Sequence, residues 1–346
     1  MADRERNEAK EHEEASAERS LRPKSLSEFI GQRLLVENLK IAAFSAKRRG
    51  ECLDHILLSG MPGLGKTTLA SLLAKEMEIG LHVTSGPAVG NGEDLLGLLT
   101  SLKRGDILFV DEIHRLSRQA EECVYSAMED LEVHVVLAHG HEARAIRVRV
   151  EPFTLVGATT REGMLSPPFR GRFGIVEKLE PYPPEDLVEI LTRSAGLLDC
   201  ELEPDAARHL AESCRGTPRY ANRFLRRVRD LALYRHGGNG SGPPHSLRLT
   251  VDVVKEALHR LGINERGLDR VDRRILDVLL SSEKPVGLKT LAVQVGEDEG
   301  TLEDVYEPYL MQRGLLIKTP KGRAATEKAS QVYRSHENGE AVQRGG

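Results

Sequence analysis

The chain has 346 residues, 40% hydrophobic and 29% charged, which is ordinary for a soluble protein and enough for two or three domains. A formal net charge of -4 excludes a globally basic nucleic-acid binder, and the absence of Trp leaves base stacking to a few Tyr and Phe. Cys52, Cys123, Cys200 and Cys214 have no C-x-x-C or His–Cys spacing and no apolar run approaches membrane-span length, so free thiols and a cytoplasmic setting are expected.

Residues 1 to about 20 carry mixed charge and almost no large apolar side chain, which predicts a disordered tail. Leu21-Arg22-Pro23 then leads to a helical pattern through Leu35, Leu39 and Ala43. The apolar run Ile56-Leu57-Leu58 feeds into Gly60-Met61-Pro62-Gly63-Leu64-Gly65-Lys66-Thr67, and a helical pattern through Leu69, Leu72, Leu73 and Met77 leads out. Strand, glycine loop and helix in this order are what a phosphate-binding P-loop requires. Glycines let backbone N–H groups turn toward phosphates, and the helix N-terminus adds partial positive charge. Lys66 is expected on the β- and γ-phosphates and Thr67 on Mg2+.

Ile107-Leu108-Phe109-Val110 is continuously apolar, as suits a parallel strand covered on both faces, and closes with Asp111-Glu112. Carboxylates there lie where open α/β sheets bind ligands. Asp111 is expected to serve Mg2+. Glu112, pointing the other way by strand alternation, is expected to act as general base on the attacking water. Val133, Val135 and Leu137, then Ile146, Val148 and Val150, alternate with polar residues around His139-Gly140-His141. That is a hairpin signature, either an edge hairpin with one buried face or a projecting docking element. Phe153 to Thr160 is a further buried strand with a polar end, where a Thr could sense the γ-phosphate. Arg170-Gly171-Arg172 follows between apolar anchors. An arginine supplied in trans to a phosphoryl group is worth roughly 10³–10⁵ in rate.

Pro181-Tyr182-Pro183-Pro184 marks a domain boundary, since consecutive prolines cannot sit inside a helix. Helices are predicted at about 185–195, 204–214 and 218–235, the last opened by Arg219 where an anionic ligand can be met. The Gly- and Pro-rich run at 236–244 reads as a flexible loop, and Thr250 caps another helix. The remaining pattern is three helices and a hairpin, the winged-helix arrangement. Its third helix carries Glu303, Asp304, Glu307 and Pro308, and such acids argue against reading bases in a major groove. Positive charge sits on the wing at Lys318, Lys321 and Arg323, predicting sequence-independent phosphate contact. The expected layout is a large P-loop domain at 21–182, a small helical domain at 183–255, a winged helix at 256–334 and a tail at 335–346.

The order of P-loop, Asp-Glu strand, polar-ended strand, arginine finger and helical lid resembles an AAA+ ATPase. Its wording resembles the RuvB family in Leu-Arg-Pro-Lys (21–24), Gly-Leu-Gly-Lys-Thr-Thr (63–68), Thr-Ser-Gly-Pro (84–87) and Asp-Glu-Ile-His-Arg-Leu (111–116). The same holds for Ala-Met-Glu-Asp (127–130), Gly-Ala-Thr-Thr-Arg (157–161), Arg-Phe-Gly-Ile-Val (172–176), Arg-Gly-Thr-Pro-Arg (215–219) and Glu-Pro-Tyr-Leu (307–310). The resemblance implies a doubly flanked parallel-sheet AAA+ domain, an all-helical lid and a C-terminal winged helix. It also implies an ATP- and Mg2+-dependent hexameric motor that draws the duplex arms of Holliday junctions through its ring. Its partners would be RuvA, docked at the 133–150 hairpin, and a RuvC-type resolvase in the wider complex.

Carried over by the resemblance, Leu21, Arg22 and Tyr182 flank adenine, while Gly63, Gly65, Lys66, Thr67 and Thr68 hold phosphates and Mg2+. Asp111 and Glu112 serve metal and water, and Thr160 is the first sensor. Arg172 is a finger into the neighbouring subunit's site, with Glu129 and Asp130 beside the same boundary. Arg219 is the second sensor, and Lys318 and Arg323 touch DNA phosphates. Departures are the hairpin tip, which lacks a Gly-Pro turn, the 236–244 loop, and lysines on the wing where arginine is usual. A clamp-loader or protein-remodelling AAA+ machine is the alternative among ATPases. A non-hydrolysing nucleotide switch is the alternative outside them, disfavoured because a switch does not need both Glu112 and Arg172.

Overall fold

A computed structural model describes residues 20–90, 92–137, 144–237, 247–264 and 266–331. The tails expected at 1–20 (Ser20 apart) and 335–346, the His139-Gly140-His141 tip and most of the 236–244 loop lie outside the described residues. The chain divides into two compact units, Met1–Tyr182 and Pro183–Gly346.

The first unit is built on five parallel strands: β1 (Ile56–Ser59), β2 (Leu81–Ser85), β3 (Ile107–Asp111), then β6 (Thr154–Thr159) and β7 (Ile175–Lys178). β4 (Glu132–Leu137) and β5 (Arg144–Arg149) form the hairpin between β3 and β6. The sheet order is β2-β3-β6-β1-β7. β1 and β6 are buried along their whole length, and β3 as far as Val110, which explains why their sequences run apolar without alternation. β6 lies between β1 and β3, with Ser59 opposite Thr159 and Val110 opposite Gly157. The chain segments leaving β1, β6 and β3 therefore emerge side by side at one sheet edge. α1 (Arg33–Arg49), α2 (Lys66–Met77), α3 (Gly92–Ser101) and α4 (Arg118–Asp130) accompany the sheet, and α5 (Pro167–Arg170) is a single turn before β7. Ser117 caps α4 by accepting from Ala120 N.

The hairpin is an antiparallel two-stranded sheet of its own, not an edge of the five-stranded one. Val133 pairs with Val148 and Val135 with Ile146, as the alternation predicts. Val133 and Val150 are buried at its base, in the apolar cluster that includes Phe153, Phe169 and Phe173.

In the second unit, α6 (Pro184–Leu197), α7 (Pro204–Glu212), α8 (Pro218–Gly237) and α9 (Val251–Arg260) pack together as a lid. Thr250 caps α9 through Val253 N. Two features differ from expectation. The lid also contains a parallel pair, β8 (Cys200–Leu202) and β9 (Leu247–Leu249), whose three-residue strands are too short for a readable alternation. A boundary at 255/256 would cut α9, which runs unbroken against the other lid helices, so the division moves beyond Arg260.

The winged helix follows with α10 (Arg270–Leu280), α11 (Leu288–Val295) and a third helix that includes α12 (Glu307–Gln312). Just before α12 the backbone takes a π turn at Leu302–Tyr306. Pro308 has no N–H for the Asp304 carbonyl, which accounts for the local change of register. β10 (Leu316–Thr319) and β11 (Gly322–Ala325) form the wing, and Val286 adds a bridge to Arg323. This head has its own core around Ile275, Leu276, Leu291, Leu302 and Leu310. Among the described residues no helix is long and apolar enough to cross a membrane.

Candidate active site

The loop after β1 takes conformations that need glycine. Gly60, Gly63 and Gly65 have φ of +137°, +83° and +106°. A Cβ on Gly60 would stand 2.7 Å from the Leu179 carbonyl oxygen, and one on Gly65 would stand 3.1 Å from Phe29 Cζ. The loop thus wraps a small volume at the start of α2, with Lys66, Thr67 and Thr68 in its first turn. The Lys66 ammonium donates to the carbonyls of Gly60 (2.7 Å) and Met61 (2.9 Å) and is nearly buried. Hydrogen bonds from a lysine ammonium to loop carbonyls can be exchanged for phosphate oxygens, so the cradle fits a triphosphate. Tyr182 is buried against the loop, its hydroxyl donating to the Leu64 carbonyl at 3.2 Å; Leu21 is buried and Arg22 partly exposed.

Asp111 ends β3 and accepts from Glu112 N at 3.0 Å. Glu112 itself has left the strand: its φ is +48°, a left-handed conformation that costs on the order of 1–2 kcal/mol in a non-glycine residue. Its direction is therefore set by a turn and not by strand alternation, correcting the expectation from sequence. Gly86 makes room for this turn, since a Cβ there would lie 2.4 Å from the Glu112 carbonyl oxygen. Thr67 and Asp111 carry the oxygen donors that could hold a Mg2+ ion, which usually keeps several waters beside one or two carboxylates.

Thr160, the first residue past β6, donates to Glu112 Oε2 at 3.3 Å. Sequence reasoning missed a second group here. His114 is buried to 4% exposure, with Nε2 3.4 Å from Glu112 Oε2 and Nδ1 2.9 Å from Thr159 Oγ1. Thr159 Oγ1 also accepts from Arg161 N at 3.0 Å, so the hydroxyl ties the imidazole to the backbone just past β6. The only sequence signal was its place in the Asp-Glu-Ile-His run. At Gly157 on β6, a Cβ would meet Ile113 Cδ1 at 2.9 Å and Phe173 Cζ at 3.3 Å. The neighbours of Glu112 and of Arg172 thus pack at one glycine.

Arg172 is exposed at the end of the loop before β7. Its Nε and Nη2 donate to the Tyr125 hydroxyl at 3.1 and 2.7 Å, it pairs with Glu129, and its guanidinium lies 5.0 Å from the Tyr125 ring centre. The Tyr125 hydrogen bond, then the Glu129 charge, push its pKa further up from the ordinary arginine value. Glu129 and Asp130 both face solvent at the end of α4. The structure so gathers Arg172 and Glu129 on one surface, and Lys66, Asp111, Glu112 and Thr160 around adjacent strand ends. Arg219 belongs to the second unit, exposed at the second residue of α8.

The wing differs from expectation. Lys318 and Arg323 pair across β10 and β11 and both point at acids of the third helix. Lys318 Nζ lies 2.6 Å from Glu307 and 3.8 Å from Glu303; Arg323 donates to Glu307 at 2.6 Å and Glu303 at 2.9 Å. Arg323 is only 13% exposed. Their charges are balanced within the chain, which explains the acids on that helix and corrects the picture of two cations presented to phosphate. Lys321, at the wing turn, is exposed. The four cysteines are free thiols, with burial pushing Cys123 up to about 11.

Three family models cover this chain in succession: the Holliday junction DNA helicase RuvB P-loop domain at 21–179, the RuvB AAA lid domain at 182–264 and the RuvB C-terminal winged helix domain at 265–334. The RuvB subunit of the Holliday junction branch migration complex from Chlorobaculum parvum is 49% identical over 329 residues, 94% of each chain. That of Myxococcus xanthus is 49% identical over 324 residues, 93% of this chain and 92% of its own. A solved structure of the Thermotoga maritima RuvB branch migration motor superposes with a TM-score of 0.81 at 46% identity, covering 91% of this chain and 98% of that one. With the P-loop, the acidic strand end, the lid and the winged head all matched in order, this chain belongs to the RuvB family of P-loop AAA+ ATPases.

Proposed function

We infer that this chain is the ATP-hydrolysing motor subunit of a Holliday-junction branch-migration complex. The observation that carries the reading is the convergence of the glycine cradle with Lys66, the Asp111-Glu112 turn and Thr160 on three adjacent strand ends. When bound, ATP and Mg2+ supply the phosphoryl group and the metal charge that polarises it. Gly63, Gly65, Lys66, Thr67 and Thr68 would hold the phosphates, and Thr67 with Asp111 the metal. Leu21, Arg22 and Tyr182 would bound the base. Glu112 orients and deprotonates water, and Thr160 and His114 hold its carboxylate in place between turnovers. Arg172, resting on Tyr125 and Glu129, is the cation offered to a neighbouring subunit's site in a hexameric ring, with Asp130 at the same surface. Arg219 reports nucleotide state to the lid.

The separate two-stranded hairpin fits RuvA docking, because its strand edges are not committed to the main sheet. Duplex contact falls to the wing, with Lys321 carrying the uncompensated charge and Lys318 and Arg323 fixing the wing's shape. A motor acting on Holliday junctions, beside a RuvC-type resolvase, would work in the cytoplasm.

Mixing Arg172→Ala subunits with Lys66→Ala subunits tests the shared site. Each parent should lack ATP turnover, and mixtures should regain part of it wherever an intact Lys66 meets a neighbour's intact Arg172. Mixtures as inactive as the parents would overturn the assignment in trans. The same preparations, added with RuvA to a synthetic four-way junction, should migrate it only when turnover returns.

A further inference from the structure

Arg215 is a buried cation in the second unit that the ATPase chemistry does not use. Its side chain is 4% exposed, and its Nη2 donates to Asp269 Oδ2 at 2.5 Å and to Asp272 Oδ2. Three rings surround the guanidinium, with centres 4.8 Å (Tyr309), 5.2 Å (Tyr220) and 5.6 Å (Tyr306) away. Arg215 and Tyr220 come from the lid, while Asp269, Asp272, Tyr306 and Tyr309 come from the winged head. Asp269 and Asp272 are not loose acids. They form a reciprocal capping box at the start of α10, so whatever holds them holds that helix. The π turn ends at Tyr306, one of the three rings. Next to the cluster the two parts approach so closely that a Cβ on Gly267 would stand 3.1 Å from Ser213 Cα, and the Tyr309 hydroxyl donates to the Gly267 carbonyl at 3.4 Å.

Such a cluster is a poor way to gain stability. Well-packed apolar replacements of buried ion pairs are often neutral or stabilising. Here Arg215 Nη1 and Asp272 Oδ1 are buried without a hydrogen-bond partner among the described residues, so the polar groups are not even fully satisfied. What this guanidinium does provide is direction, because its Nη2 is shared between two carboxylates while three rings confine its plane. Arg215 also has a left-handed backbone, φ +53°, in the turn that enters α8, and Arg219 stands four residues on, in the first turn of that helix.

We propose that Arg215 is a positioning residue that locks lid and winged head into one lever, so that movement of α8 in response to nucleotide reaches the wing without slack. The inference rests on Arg219 as nucleotide sensor and on the wing as the duplex contact. The full-length protein carrying Arg215→Met with Asp272→Leu removes the lock while leaving an apolar junction, and Arg215→Lys keeps the charge but loses the planar group that the three rings confine. For both, ATP turnover with duplex, junction migration with RuvA and thermal melting are measured, and ATP consumed per base pair migrated is the deciding ratio. That ratio should rise roughly tenfold in Arg215→Met/Asp272→Leu, in the range of typical coupling between sites, and less in Arg215→Lys, with turnover close to wild type. An unchanged ratio in a folded variant, including one where both rates fall together, overturns the proposal. If the double variant does not fold, Arg215→Lys decides by the same ratio. Absence of turnover or migration in the unmodified protein would instead overturn the functional reading beneath it.

Discussion

At the sheet edge Glu112 is held by Thr160 at 3.3 Å and by His114 at 3.4 Å, both long contacts on a half-exposed carboxylate. At the lid–head junction Arg215 is held by two carboxylates and three rings, almost out of water. Both places contain acids beside a basic side chain, yet one set is arranged to let go and the other to stay. A catalytic carboxylate must trade protein partners for water and return, which weak single contacts permit. A junction acting as the proposed lever must not rearrange, and many simultaneous contacts to a planar cation oppose rearrangement. The difference lies in burial and in the number of partners, more than in residue type.

Two substitutions probe that contrast directly, and two more at the wing test the same rule of burial and partner number. The largest effect is expected from Glu112→Gln, which keeps the Thr160 and His114 contacts but cannot take a proton. Single-turnover hydrolysis should fall by about 10²–10⁴-fold while labelled nucleotide still binds. Hydrolysis at the wild-type rate would remove Glu112 from the chemistry.

Next is Asp272→Asn at the junction. Burial, with the second carboxylate at Asp269, outweighs Arg215 and pushes the Asp272 carboxyl up from 3.8 to about 7. The folded state then holds a proton that the unfolded chain has released, between pH near 4 and near 7. This contribution to stability is present at low pH and is lost as pH rises toward 7. The stability of wild type relative to Asp272→Asn should thus decline across that window, by on the order of 4 kcal/mol at most. Parallel melting temperatures from pH 5 to pH 8 would show instead that Asp272 stays ionised beside Arg215.

The smallest effect is at the wing. Lys321→Ala should weaken duplex binding evenly across sequences and reduce the salt slope by about one phosphate contact. Arg323→Ala should chiefly lower the melting temperature, because it removes one of the two cations that balance the buried Glu307. A salt slope that responds to Arg323→Ala and not to Lys321→Ala would return Arg323 to the DNA surface.

What was legible in the sequence was local. The P-loop, the apolar strand ending in Asp111-Glu112, the hairpin alternation, the Thr250 cap and the three helices with a wing all depend on neighbours a few residues apart. What was not legible depends on distance or backbone sign. Glu303 and Glu307 read as acids hostile to phosphate, because their partners Lys318 and Arg323 are 11 to 20 residues further on and meet them only once the wing folds back. His114 is one histidine in a motif until β6 brings Thr159 to it. Glu112 turns away from its strand by a positive φ that no composition announces, and Arg215 gains its meaning only when the winged head closes on it.

Gly157 has a consequence for how damaging variants would be interpreted. It sits in the Gly-Ala-Thr-Thr-Arg run beside the sensor threonine, so a missense change there invites the diagnosis of lost nucleotide sensing. The space its missing side chain leaves is filled by Ile113 and Phe173, the residues adjoining Glu112 and Arg172. An alanine at this point would push on the residues next to Glu112 and next to Arg172 at the same time. On the proposed assignment of Arg172 to a neighbour's site, one such chain would disturb two sites, its own and its neighbour's.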